Sequence, residues 1–303
     1  MKMAYSSFTS NEVQRQSSYA QITEQIIRKL EQGVIPWRRP WSTQLPANLK
    51  SQKEYRGINT FLLAMQGYAS PYWVTYKQAQ SIGGHVRKGE HGTRICFWKF
   101  DEYEKPNVET GETEKRSAVM LKTYVVFNLG QIDGLPDFGK GKRANNPIEQ
   151  IAECERIVAH MQNAPRIEAS NAAWYKPSTD TVGIPPITTF DQAPGYYSTL
   201  FHELTHSTGH ASRVGREGIQ ALNNFGSESY SKEELVAELG AAMLCGQTGI
   251  EQATLDNSAA YIATWLKRLR DDSRLIVSAA SQAQKAADYI LGKSQNSETE
   301  AEA

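Results

Sequence analysis

Residues 200–206 read Leu-Phe-His-Glu-Leu-Thr-His, and this run constrains the chain more than any other. Inside a helical pattern, His202 and His206 lie one turn apart on one face, so both imidazoles can converge on a single ion. Glu203 is rotated by about 100° from His202 and borders that site without being forced into it. A general base acting on a metal-bound water belongs in that position. Two histidines do not complete a tetrahedral zinc site, which in catalytic proteins takes a third protein ligand and leaves one position for water. His210 continues the series, but on a straight helix it lies about 12 Å along the axis from His202, out of reach of the same ion. Ser212 stands where the three-histidine pattern H-E-x-x-H-x-x-G-x-x-H needs its last ligand.

The third ligand is therefore sought downstream, in Ser231-Lys-Glu-Glu-Leu-Val-Ala-Glu-Leu-Gly-Ala-Ala242. Ser231 with Glu234 forms a capping-box pattern that predicts a helix start, and the plainer reading of Glu233 and Glu234 is a solvated acidic first turn. Glu234 and Glu238 then fall one turn apart on one face. Ala237, Gly240, Ala241 and Ala242 are small enough to let this helix pack closely on the histidine helix. Glu234 is the favoured metal ligand. Glu238 is read as the carboxylate that orients a ligand histidine, or as the alternate ligand. Zinc is the expected ion, with another divalent metal such as Mn2+ as the alternative.

At 303 residues the chain is long enough for two domains, and its 40% hydrophobic and 22% charged content is that of a globular protein. Cys96, Cys154 and Cys245 are scattered singly, which argues against a disulfide framework and suits a reducing, cytoplasmic setting. No run approaches the roughly 20 apolar residues that span a bilayer, so no membrane partner is expected. The formal net charge of zero hides an asymmetry. Residues 1–99 carry 14 Lys/Arg against 5 Asp/Glu, whereas residues 141–303 carry 14 against 20. A basic half joined to an acidic half suggests that the first half meets a polyanion.

Taken in order, residues 1–18 read as a polar arm and Ser18–Gln32 as an amphipathic helix stopped at Gly33. Pro36-Trp37-Arg38-Arg39-Pro40-Trp41 admits two readings: the tryptophans plug the core, or Arg38 and Arg39 contact phosphates while an indole offers a stacking face. Asn59 reads as the cap of a helix to Gln66, and Thr75 as the cap of a short helix to Ser81. Gly83-Gly84 turns the chain into a basic, glycine-punctuated stretch holding Arg87 and Lys88. Strands are expected at Ile95–Phe100 and Met120–Phe127, with the acidic stretch 101–115 as an exposed, mobile excursion between them. Of 29 aromatic residues, 17 precede residue 129. Rings interleaved with cations suit single-stranded nucleic acid, whose phosphates follow the positive groove while the bases stack. The candidates for that contact are Arg38, Arg39, Trp41, Lys53, Arg56, Lys77, Arg87 and Lys88.

Residues 129–147 read as a linker. Beyond it, a helix is expected over 148–163, ending near a surface His160. Short strands follow at 166–169, 173–176 and 181–184, and then the histidine helix with Asp191 as N-cap and Pro194 in its first turns. Amphipathic packing helices are expected over 259–291. The class is therefore α+β with two domains: 1–128 the basic, aromatic-rich half, either a single-stranded nucleic-acid binder or a small aromatic core under a solvated basic surface, 148–291 carrying the metal site, and 292–303 a disordered tail.

Several stretches together resemble the ArdC-type antirestriction proteins of conjugative plasmids: Gly33 to Trp41, Tyr55-Arg56-Gly57-Ile58-Asn59, Tyr72-Trp73 through Gly92-Thr93, Val126-Phe127-Asn128, and the His-Glu-Leu-Thr-His helix with its Glu234–Ala242 partner. The first half also resembles the single-stranded-DNA-binding region of TraC-type primases. The resemblance implies a DNA-binding domain followed by a zincin-like metallopeptidase domain, acting to protect incoming plasmid DNA from restriction, with delivery to the recipient cell during conjugation. Glu234 and Ala237 sit as in the E-x-x-A segment of gluzincin-type peptidases. The peptidase substrate would be a host restriction component or a DNA-bound protein. Two other functions compete: a passive single-strand shield with a non-catalytic metal site, and a peptidase that clears proteins from DNA.

Overall fold

The computed structural model describes residues 17–38, 45–106, 113–135, 147–216, 219, 228–250 and 259–293, with the backbone alone given for Arg38, residues 100–106, 113–119 and 228–230. The architecture is α+β in two domains. Helix α1 (Ser18–Glu31) starts where the Ser17 hydroxyl accepts from the Ala20 N–H, and it buries Ile22, Ile26, Ile27 and Leu30. Gly33, at φ +76°, ends it as the sequence predicts. A 3-10 turn at Pro36–Arg38 then carries Trp37 into the core, fully buried. There follow β1 (Ala47–Asn48), α2 (Ile58–Ala64), β2 (Tyr72–Thr75), α3 (Tyr76–Ser81), β3 (His85–Val86), β4 (Thr93–Pro106), β5 (Thr113–Asn128) and β6 (Ile132–Asp133). One sheet has the order β1-β2-β5-β4, parallel between β1 and β2 and otherwise antiparallel, and β3 pairs separately with β6. Thr75 caps α3 as expected, and Gln78 completes its capping box.

Three expectations for this domain need correction. Asn59 is not a cap: Gly57 holds that position, and Asn59 lies inside α2, buried, donating to the Cys96 carbonyl at 2.6 Å and accepting from the Cys96 N–H at 2.9 Å. Its amide thus clamps α2 to β4. Nor is the acidic stretch 101–115 an excursion between two short strands, because the β4–β5 register continues from Thr93–Val126 out to Pro106–Thr113. Ladder bonds are made by backbone groups, so a polar strand pairs as well as an apolar one. Finally, the expected linker is structured over 129–135. Asn128 caps a 3-10 turn, Gln131 is buried, and Ile132–Asp133 pairs with His85–Val86. The expected terminal arm (1–16), the hairpin tip (107–112), the remainder of the linker (136–146) and most of the tail (294–303) lie outside the described residues.

The second domain comprises α4 (Pro147–His160), β7 (Arg166–Ala169), β8 (Trp174–Lys176), β9 (Thr181–Ile184), α5 (Ala193–Ser207), α6 (Glu228–Thr248), α7 (Ala259–Asp271) and α8 (Leu275–Ile290). Strand β9 is central, parallel to β7 and antiparallel to β8. His160 is exposed, as expected of a surface residue. Gln192, not Asp191, holds the cap position of α5. Pro194 fixes that start, since its missing N–H falls among the first-turn groups that have no helical partner. Helix α6 begins by Glu228, so Ser231 lies within the helix and does not start it. The 259–291 segment forms two helices broken near Asp272, whose carboxylate accepts from the Arg274 N–H at 2.8 Å. No helix among the described residues is long and apolar enough to cross a membrane.

One apolar cluster runs through both domains, joining Ile22, Trp37 and Phe61 to Leu204, Leu235 and Ile276. Trp37 meets Trp265 edge to face, with ring centroids 6.2 Å apart. Polar locks border the cluster: the Thr23 hydroxyl donates to the Ser273 carbonyl at 2.6 Å, and the Gly57 N–H to the Gln284 side chain at 2.9 Å. Arg56 pairs with the buried Asp288, which also accepts from Gln284 at 3.1 Å. Removing the cation leaves a buried carboxylate short of its partner, so Arg56→Met should cost about 2–3 kcal/mol in urea unfolding. Arg56→Met with Asp288→Leu should recover part of that loss.

Candidate metal centre

Helix α5 buries Tyr197, Leu200, Phe201 and Leu204 and satisfies its core-facing hydroxyls internally, with Thr205 donating to the Phe201 carbonyl at 2.7 Å and Ser207 to the Leu204 carbonyl at 2.7 Å. That register turns His202 and His206 toward α6, with side chains 14% and 12% exposed. Helix α6 comes close because Gly240 faces Thr205: a Cβ on residue 240 would stand 2.5 Å from the threonine methyl carbon. The close approach delivers Glu234 to the two imidazoles.

His202, His206 and Glu234 form a three-residue group whose ligand atoms all lie within 4.8 Å of one another. The two Nε2 atoms are 3.1 Å apart, and the Glu234 carboxylate oxygens lie 3.6 Å from His202 Nε2 and 3.5 Å from His206 Nε2. Ligands placed about 2.05 Å from a tetrahedral ion are separated by about 3.4 Å, so this donor set has the spacing and the chemistry to hold a divalent metal ion. Glu234, 30% exposed, is the most open of the three and marks the mouth. Glu203, the neighbour of His202 on α5, is buried. Burial pushes its pKa up, against the pull of His206 and His202, so its carboxylate binds a proton more readily than a surface glutamate.

Glu233 and Arg216 complete the surroundings, and the sequence reading missed both. Glu233 is buried where a solvated first-turn residue was expected. It accepts from Arg216 Nε at 2.9 Å and lies 3.4 Å from His206 Nδ1. Buried Arg216 also donates to the Thr208 hydroxyl at 2.6 Å and the Thr205 carbonyl at 2.8 Å, fastening Glu233 to the end of α5. The orienting role read into Glu238 thus falls to Glu233. Glu238 stands outside the group, accepting instead from Trp37 Nε1 at 2.8 Å and from the Tyr261 hydroxyl. Nothing in the sequence marks Arg216, which follows His206 through turns and belongs to no motif. Of the adjacent Glu233-Glu234 pair, Glu234 was the favoured ligand, and it is the member whose carboxylate lies beside both imidazoles. Although α5 ends before Gly209, His210 turns away and meets the Ser212 hydroxyl at 2.9 Å.

The nucleic-acid candidates that the structure describes divide into exposed lysines and arginines already engaged by carboxylates. Trp37 is buried, and the Arg38 side chain, Arg39 and Trp41 lie outside the described residues. Lys53, Lys77 and Lys88 are exposed. Arg56 is engaged by Asp288, and Arg87 by Glu90 at 2.7 Å and Asp133 at 3.3 Å.

Comparison with known proteins adds the following. Residues 16–127 match the family described as the N-terminal domain of anti-restriction factor ArdC, and residues 152–282 match the family described as zincin-like metallopeptidase. The chain is 42% identical to the metal-free crystal structure of the antirestriction ArdC protein from plasmid R388, covering 90% of this chain and 96% of that one, with a TM-score of 0.71. Against the Mn(II)-bound structure of the same protein the figures are 40%, 93%, 100% and 0.72. It is also 37% identical over 291 residues to a DNA primase TraC of Escherichia coli, covering 90% of this chain but only 27% of that protein. The chain thus spans about a quarter of that relative's length.

Burial works against a charged His206, yet Glu233 and Glu234 outweigh it and raise its pKa to about 10. Below that pH the metal-free site carries a proton that an ion must displace. Divalent-metal affinity should therefore rise with pH, about tenfold per unit, and level off near pH 10. Calorimetry in buffers of different ionisation enthalpy should detect close to one proton released per ion. Arg216→Met should weaken metal binding about 10- to 100-fold in the same titration.

Proposed function

The chain belongs to the ArdC antirestriction family, and from that premise we propose that it binds single-stranded DNA through its first half and carries a divalent-metal peptidase-type site in its second. Together these would protect incoming conjugative plasmid DNA from restriction in the recipient cell. The observation that carries the reading is the convergence of His202, His206 and Glu234 with a buried Glu203 beside them. His202, His206 and Glu234 would hold the ion. Zinc suits two imidazoles and a carboxylate, and manganese is supported by the Mn(II)-bound R388 relative. A bound ion would supply Lewis acidity, polarising a scissile carbonyl and acidifying water. Glu203 takes the proton of the attacking water and returns it to the departing amine, a task that suits a carboxyl whose proton affinity burial has raised. Glu233 and Arg216 hold His206 in one ring orientation while this happens. The substrate is a host restriction component or another protein on the DNA. A passive single-strand shield would have no use for a buried carboxylate at position 203, and on that ground the catalytic reading is preferred.

Conjugative transfer into a restricting recipient tests this. With Glu203→Gln, protection should fall to the level of a strain lacking the protein, while affinity for single-stranded DNA stays unchanged. Full protection by this variant would assign the effect to DNA binding alone. For the binding itself, the logarithm of affinity should fall with the logarithm of salt concentration, by about 0.7 for each phosphate neutralised.

A further inference from the structure

Among the described residues, the large aromatic rings that stay more than a third exposed are Tyr76, at 52%, and Trp98, at 43%. Both belong to the first domain, and both lie along one face of its sheet. In the β4–β5 ladder Arg94 is opposite Val125 and Trp98 opposite Leu121, so these positions share a face, with Phe127 two residues beyond Val125. Tyr76 joins that face at its far end by an edge-to-face contact with Phe127, at 6.3 Å between centroids. Trp98 is steadied the same way by Tyr19 at 6.0 Å, and Tyr19 is itself covered by the Arg274 guanidinium at 5.4 Å. Each exposed ring is therefore held by a second ring and keeps surface open to solvent.

Cations alternate with these rings. Arg94 is exposed beside Val125, which is itself 44% exposed, and Lys77 is exposed next to Tyr76. From Trp98 to Arg94 is four strand residues, roughly 13 Å, with Cys96 between them buried in the core, so the open apolar surface on this face is that around Val125. Helix α1 borders this line, with the Gln25 side chain donating to the Arg94 carbonyl at 3.3 Å, and α3 carries Tyr76 as its first residue. An apolar surface left open this way calls for an occupant. Ring, cation, apolar floor, ring and cation in a row fit a strand that offers bare bases and phosphates together. A duplex hides its base faces, and an apolar protein partner would leave Arg94 and Lys77 unmatched.

We propose that single-stranded DNA lies along this face, stacking bases on Trp98 and Tyr76 and setting phosphates against Arg94 and Lys77. The assignment rests on the single-strand-binding reading above and gives it a place on the sheet, where Lys77 is the sequence candidate that takes part. It also explains why Arg56 and Arg87 can be committed to carboxylates without loss of the function.

The test is fluorescence anisotropy with the full chain and a labelled oligonucleotide of about 15 nucleotides. Trp98→Ala and Tyr76→Ala should each weaken binding roughly tenfold, while Trp98→Phe and Tyr76→Phe stay close to wild type. Arg94→Ala should weaken binding and lower the salt slope by about 0.7. Lys122→Ala, on the opposite face of the ladder by register, should change little. Thermal melting followed by circular dichroism establishes that each variant is folded. Wild-type binding that all the Trp98, Tyr76 and Arg94 variants retain would overturn this face while leaving the single-strand reading intact. Equal affinity for a duplex of the same sequence would overturn the stacking. Variants that change only self-association would assign the face to a protein contact and overturn the proposal. Absence of any single-strand binding by the wild type at low salt would remove the reading and the face together.

Discussion

Helix α6 is buried on every side from Leu235 to Cys245, and that burial sets the terms for the rest of the molecule. A carboxylate on such a helix cannot rely on water and must find donors within the protein. Three of them, Glu233, Glu234 and Glu238, fall within a turn and a half, and each is matched differently. Glu233 takes a guanidinium, Glu234 faces two imidazoles, and Glu238 takes an indole N–H and a phenol. Only Glu234 faces two imidazoles at once. The other two carboxylates fix the rotation and position of the helix, so that the third arrives at the histidines with the separation a tetrahedral ion needs.

The donors also bind the two domains together. Trp37 comes from the first domain, yet its N–H bonds a carboxylate on the central helix of the second. Tyr261 and Trp265 reach the same place from α7, and Trp37 packs on Trp265. Asp288 on α8 performs the reverse service, receiving Arg56 from the first domain. Linked charged and polar groups of this kind are expensive to separate once buried. The inter-domain contact is therefore part of the core, in keeping with the single apolar cluster that spans it.

What was legible in the sequence was whatever periodicity and local chemistry control. The helical spacing of Ile22, Ile26 and Leu30, the Thr75 cap, the short strands around residue 180 and the one-turn spacing of His202 and His206 are all properties of neighbours along the chain. Misreadings occurred where a distant group decided. Asn59 has the residue type of a cap, but its amide is taken by the backbone of Cys96. Glu238 has the spacing of a partner to Glu234, but Trp37 claims it. Glu233 looks like a solvated residue because nothing local reveals Arg216. The polar length of β4 and β5 was hidden for another reason: hydrophobic pattern reports burial, and a ladder continues where there is none.

The same distinction governs how far charge can be read as function. An excess of cations over residues 1–99 is a sum, whereas affinity for a phosphate depends on the cations that remain unneutralised after folding. Arg28, Arg56 and Arg87 enter that sum, yet each has a carboxylate within ion-pair distance. Rings behave likewise: Trp37 and Trp73 count toward an aromatic-rich half but are buried, whereas among the described residues Trp98 and Tyr76 keep faces to offer. The metal centre obeys the same logic. Two imidazole nitrogens 3.1 Å apart face a carboxylate that lies within 3.6 Å of both, so three metal-binding groups are directed at one place. In both domains the residues that folding leaves incompletely satisfied, more than those that match a motif, define what the surface is prepared to bind.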